Sequence, residues 1–231
     1  MHKTLPSLSL IQTRVLAVLI EKERTVPDTY PMTLNALVSG CNQKTSRDPV
    51  MSISESEAQE AIDELKRLSL VLETSGGRVM RYSQNAKRAL VIPSESLALL
   101  TGLMLRGPQT AGELRISCER LCKFSDISAV EGFLNELADR EGAGLVIELP
   151  RQAGSRENRW MHLLSGAPTE DMMREQAGSV ARFASSSELH TDSSVNELRQ
   201  RVSRLEADLT RLQQLVTELC RQLGVETTSK T

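Results

Sequence analysis

Aromatic residues are scarce in this chain: three Phe, two Tyr and one Trp make up 3% of 231 residues. Any core must therefore rest on Leu, Val, Ile and Met, which suits helices that bury aliphatic stripes. Histidine is scarcer still, with only His2, His162 and His190. One lies near the start, one in a predicted strand and one in a polar stretch. No spacing pairs any of them with a nucleophile, so they read as surface or packed residues. The four cysteines, Cys41, Cys118, Cys122 and Cys220, are scattered. They form no disulfide framework and read as reduced thiols of a cytoplasmic protein. Cys118 and Cys122 could share a helix face, but a structural zinc site needs a second close pair of ligands, and there is none. They read as ordinary buried thiols, and no cofactor or metal is expected.

Long apolar runs are missing too. The longest, Val15 to Ile20, falls far short of the roughly 20 residues that cross a bilayer. The opening MHKTLPSLSL lacks the charged-then-apolar plan of a signal peptide. No membrane role is expected. Nor is there an excess charge of either sign. The whole chain carries a net charge of −2. By segment, residues 1–92 carry +2, residues 93–166 carry −2 and residues 167–231 carry −2. None has the strongly basic footprint of an obvious nucleic-acid binder. The glycines form no phosphate cradle, since Gly76-Gly77 sits in a hairpin and Gly142 and Gly144 precede a strand rather than open a helix. Acidic residues sit mostly on predicted helix surfaces beside Lys or Arg, as Asp63 does with Arg67, which describes a solvated face before an acid/base pair. An enzyme is not expected.

What is present is a repeated order of elements. Ser9 and Gln12 have capping-box spacing, and Ile11, Val15, Val18 and Leu19 follow helical periodicity to about residue 23. A second helix is expected from about Thr33 to Cys41, then a polar loop, NQKTSRDP, with Asp48-Pro49 as a turn signal. Ser54 and Glu57 open a third helix whose buried stripe is Ala58, Ala61, Ile62, Leu65 and Leu68. LVLET and RVMRYS then flank Gly76-Gly77, the signature of a β-hairpin. Three helices and a hairpin is the order of a winged helix. The order recurs with Ser94 to Arg106, a short helix TAGELRIS capped by Thr110, a helix from about Asp126 to Arg140, and LVIEL with NRWMHLL around the loop RQAGSRE. Identities between the halves are few, so the repeat is one of element order. The expected fold class is mainly α with small β-hairpins, α+β overall: a first winged-helix domain over 1–92, a second over 93–166, a linker over 167–194, a coiled coil over 195–223 and a disordered tail over 224–231.

The coiled coil rests on an unbroken heptad. Val195, Val202, Leu209, Val216 and Leu223 fall at a; Leu198, Leu205, Leu212 and Leu219 fall at d. Branched residues at a with Leu at d favour a parallel pair, and Arg201 at g can reach Glu206 at e of a partner. A helix roughly 40 Å long with such a stripe needs a mate. Self-dimerisation is the expectation; packing back on the chain's own domains is the alternative. Leu215 at g and Cys220 at e could widen the seam towards a trimer.

The strings RVLAVLIEKERTVPDTYPMTLNALVSGCNQKTSRDPV and LMLRGPQTAGELR closely resemble the YceH-like family, a bacterial group of uncharacterised proteins with duplicated winged helices. The likeness runs from about Leu8 to Leu164. It implies the tandem winged-helix fold and carries over no catalytic residue.

A winged helix usually reads DNA with its third helix in the major groove. Here that helix carries Glu55, Glu57, Glu60, Asp63 and Glu64 ahead of Lys66 and Arg67, and its counterpart carries Asp126, Glu131, Glu136 and Asp139. Duplex DNA, with a phosphate charge every ~1.7 Å of axis, would be repelled. Candidate partner or phosphate contacts lie elsewhere: Lys44 and Arg47 in the loop before the third helix, Arg78 and Arg81 in the first hairpin, and Arg151, Arg156 and Arg159 in the second. For Arg47 there is also a structural reading, a pairing with a nearby acid, with Asn42 capping the preceding helix. The expected function is a dimeric adaptor that binds protein, with a DNA-binding regulator or nucleoid-associated protein as the alternative.

Overall fold

The computed structural model describes residues 6–75, 77, 79–140, 144–151, 155 and 157–168. The chain divides into two compact units, residues 1–173 and 174–231. The coiled-coil seam expected from Val195 to Leu223 lies outside the described residues, as do the tail and nearly all of the linker. No helix among the described residues is long and apolar enough to cross a membrane.

The first unit is mainly helical, with two small antiparallel sheets. Helices α1 (Leu10–Thr25), α2 (Leu34–Cys41) and α3 (Glu55–Arg67) precede the hairpin of β1 (Val71–Ser75) and β2 (Met80–Gln84). After a short α4 (Ala86–Leu90) come α5 (Ser94–Arg106), α6 (Ala111–Ser117) and α7 (Ile127–Ala138), then β3 (Val146–Glu148) and β4 (Trp160–His162). β1 pairs with β2, placing Leu72 opposite Ser83, and β3 pairs with β4, placing Val146 opposite His162. α4 has no counterpart in the sequence expectation. Five residues are too few to show a helical period, yet Ala86 and Leu90 are buried.

Local chemistry sets the helix starts. Ser9 accepts the backbone N–H of Gln12 while the Gln12 side chain accepts the N–H of Ser9, closing a capping box. Ser54 with Glu57 and Thr110 with Glu113 repeat the device at α3 and α6. Asp126 caps α7 by accepting from the N–H of Ala129 at 2.8 Å.

α1 and α5 are buried all round rather than on one stripe. Every residue from Thr13 to Ile20 and from Ser96 to Leu105 is buried. The cause is that α1 packs on α2 and α3 of its own half and on α5 of the other half. One cluster of buried apolar side chains consequently runs from Leu8 to Leu164 through both halves.

Both halves repeat details below the level of element order. The residue before each second helix's cap bridges the returning strand: Met32 exchanges backbone hydrogen bonds with Tyr82 (3.0 and 2.8 Å), and Gln109 with Trp160 (3.1 and 2.7 Å). The preceding proline carbonyl accepts from an arginine next to that aromatic residue, Arg81 to Pro31 at 2.7 Å and Arg159 to Pro108 at 3.3 Å. The spacing Pro31, Thr33, Leu37, Cys41 recurs as Pro108, Thr110, Leu114, Cys118, and both leucines and both cysteines are 0% exposed. The first and second helices of each half cross closely at a glycine. A Cβ on Gly40 of α2 would lie 2.7 Å from Val18 Cγ1, and one on Gly102 of α5 would lie 2.6 Å from Cys118 Sγ.

Candidate functional site

The loop after α2, polar in sequence, is organised from below by two buried arginines. Arg14, inside α1, is 0% exposed and donates to the carbonyls of Cys41 (3.3 Å) and Pro49 (2.8 Å). Burial, with the like charge of Arg47 adding to it, lowers its pKa. Arg47 forms a two-pronged pair with Glu21, at 2.6 and 3.2 Å, and also donates to Gly40 O, Ser46 O and Gln43 Oε1. The side chain of Arg47 is 0% exposed. Its guanidinium is a structural group, and no face of it is left for a phosphate. Asn42 is the C-cap residue of α2, and its amide clasps Ile53 in both directions, donating to Ile53 O at 2.9 Å and accepting its N–H at 2.8 Å. Sequence reading allowed an acid partner for Arg47 but did not single out Arg14 or Glu21. Glu21 lies 26 residues away on α1, and no local pattern links them.

The other candidate cations are dispersed. Lys44 is exposed on the loop. Arg81 and Arg159 are half-buried and tethered to proline carbonyls, and Arg159 also reaches Glu113 at 3.4 Å. Arg151 is exposed and donates to Ser155 O at 2.8 Å. Arg78 and Arg156 lie outside the described residues.

The acidic helices are outward-facing as expected. On α3, Glu55, Glu57, Glu60 and Glu64 are exposed. The two cations at its C-terminal end are engaged locally, Arg67 with Glu64 and Lys66 with Asp63 and Glu73. The N–H and O–H of Ser54 both donate to Glu57, which holds its carboxyl below the usual range and keeps it ionised. Glu57, Glu60, Asp63 and Glu64 line an open cleft of about 580 Å³ floored by Ile11 and Ala61. On α7, Glu131, Glu136 and Asp139 are likewise exposed.

Burial pushes the Cys41 thiol up to about 12 and the Cys118 thiol up to about 11, so neither is a thiolate at neutral pH. His162 is buried in β4 with Nδ1 unpartnered, and burial pulls its pKa down to about 4. The unfolded chain takes up this proton near 6.5, and the folded chain does not until about 4. Protonation therefore favours unfolding. This contribution to stability is intact above 6.5 and drains away as pH falls towards 4, with a limiting slope of ~1.4 kcal/mol per pH unit. Urea midpoints measured between pH 7 and pH 4.5 check this, and His162→Gln is expected to flatten the decline.

Fold and surface together define a mainly helical α+β protein with two small antiparallel sheets and acidic outer helices. Its sequence matches the family model described as "Protein of unknown function, DUF480" over residues 8–155. It is 54% identical over 222 residues to a UPF0502 protein of Dechloromonas aromatica (strain RCB), covering 96% of this chain and all of that one. It is 53% identical over 217 residues to a UPF0502 protein of Acidovorax sp. (strain JS42), covering 93% of each chain. The chain belongs to this family of uncharacterised bacterial proteins, with which the YceH-like resemblance agrees.

Proposed function

We propose that the two halves are tandem winged helices and that the chain is a non-catalytic, dimeric adaptor whose α3 and α7 surfaces bind protein. The repeated helix, helix, helix, hairpin order supports the winged-helix reading, and so does the recurring bridge of Met32 to Tyr82 and Gln109 to Trp160. In this reading α3 and α7 stand where a groove-reading helix would stand, the hairpins are the wings, and the seam from Val195 to Leu223 joins two copies.

The observation that carries the choice of protein over DNA is the exposed carboxylate surface of α3, whose own cations are already paired with its acids. Such a face repels a phosphate backbone and attracts a basic protein surface. Of the wing arginines among the described residues, Arg81 and Arg159 are tied to proline carbonyls and Arg151 donates to Ser155 O. The test pairs a gel shift with an affinity capture from native extract. Duplex DNA is expected to bind no tighter than the non-specific range, about 10⁻⁴ to 10⁻⁶ M at physiological salt. The captured protein is expected to be lost when Glu57, Glu60 and Glu64 are changed together to lysine. Sub-micromolar DNA binding with a steep negative salt slope would replace this reading with the DNA-binding one.

A further inference from the structure

Where the two halves meet, the end of α1, the loop over residues 43–47 and the C-terminal ends of α5 and α6 enclose a cleft of about 230 Å³. Its lining is basic, with Glu21 the single carboxylate. Arg47 lies in its wall but is buried and paired with Glu21, so the cations free to face a ligand are Lys22 from the first half and Arg106 and Arg120 from the second. Glu21 already serves Arg47 at 2.6 Å and Lys22 at 3.4 Å. Arg106 and Arg120 are exposed and make no hydrogen bond or ion pair among the described residues. Hydroxyls stand on both sides, Ser46 on the loop and Ser117 at the end of α6. The loop wall is held firmly, because Arg47 is anchored beneath it and the Asp48 N–H donates to the Leu105 carbonyl at 2.8 Å across the junction.

These features select a ligand class. The excess of cations excludes a cationic ligand and disfavours a neutral one. Two unpaired guanidiniums offer planar forks that match oxyanions. The volume lies below the roughly 300–1,000 Å³ of pockets for drug-sized ligands, so the occupant is small. We propose that this cleft binds a small oxyanion of two or more negative charges, of the phosphate or polycarboxylate kind. Held by groups from both halves, such an anion fastens one half to the other.

The experiment uses the full chain, with inorganic phosphate and citrate as probes and potassium chloride of matched ionic strength as the control. Titration calorimetry is expected to show saturable binding with Kd below about 1 mM. Thermal unfolding is expected to rise by roughly 3–6 °C when the anion is at ten times Kd. The variant Arg106→Gln/Arg120→Gln is expected to lose both responses. Without anion its Tm should stay close to the parent's, because exposed arginines contribute little to stability. A response to phosphate alone or to citrate alone supports the site and names the kind of anion. A response matched by chloride, no saturation by about 10 mM, or binding undiminished in the double variant overturns the proposal.

Discussion

Arg47→Ala is expected to remove about 3–5 kcal/mol of stability. The reason is what stays behind. Arg47 is fully buried and neutralises Glu21 through two hydrogen bonds while capping the carbonyls of Gly40 and Ser46. Alanine leaves a largely buried carboxylate facing only Lys22, and backbone acceptors without donors. One effect opposes this: Arg14 loses a like-charged neighbour that lowers its pKa. That relief acts across a distance, whereas the lost contacts are direct, so destabilisation wins. Urea denaturation measures it. Glu21→Gln combined with Arg47→Met is expected to recover more than half of the loss, because the pair goes together and no lone charge is stranded. A loss under about 1 kcal/mol for Arg47→Ala would show that water replaces the guanidinium at no real cost.

Leu37→Ala and Leu114→Ala are each expected to cost about 2–5 kcal/mol and to lower one shared unfolding transition. Both leucines are 0% exposed, and they occupy equivalent places in the two halves. Were the halves independent modules, calorimetry would resolve two peaks, and each variant would move only its own. Burial of α1 and α5 on all sides, with one cluster of side chains through both, calls for a single cooperative peak. Each change should shift it down by roughly 5–15 °C for a unit of this size. A first-half peak indifferent to Leu114→Ala would refute the shared core.

The capping boxes, the pairing of β1 with β2 and the α3 stripe could be read from sequence because each is local. Ser54 and Glu57, or Ala58, Ala61, Ile62 and Leu65, encode their structure within one or two turns. The burial of α1 on every side could not be read so, because the face toward α5 is covered by a helix some 80 residues onward, which no window around α1 contains. Arg14 was hidden for the same reason: beside an apolar run it reads as the solvent-side edge of a helix, and only the carbonyls of Cys41 and Pro49 reveal it as interior. Glu21 as the mate of Arg47 is likewise a product of tertiary packing. The likeness in detail between the two halves also has a sequence counterpart, in the spacing shared by Pro31, Thr33, Leu37 and Cys41 with Pro108, Thr110, Leu114 and Cys118 and in the Arg-aromatic pairs Arg81-Tyr82 and Arg159-Trp160. Element order alone passed over it, because identities so sparse are meaningful only when placed on matching positions of a helix and a strand.

The two glycine crossings are built in opposite senses. In the first half the hollow is on the second helix, at Gly40, and the filler on the first, at Val18; in the second half the hollow is on the first helix, at Gly102, and the filler is Cys118 just after the second. On the spacing shared by the halves Gly40 stands where Ser117 does, so a hybrid that set α6 against α1 would drive the Ser117 side chain onto Val18, where Gly40 leaves room. The helix that crosses α1 at this point is therefore obliged to be bare opposite Val18, whatever the rest of its sequence.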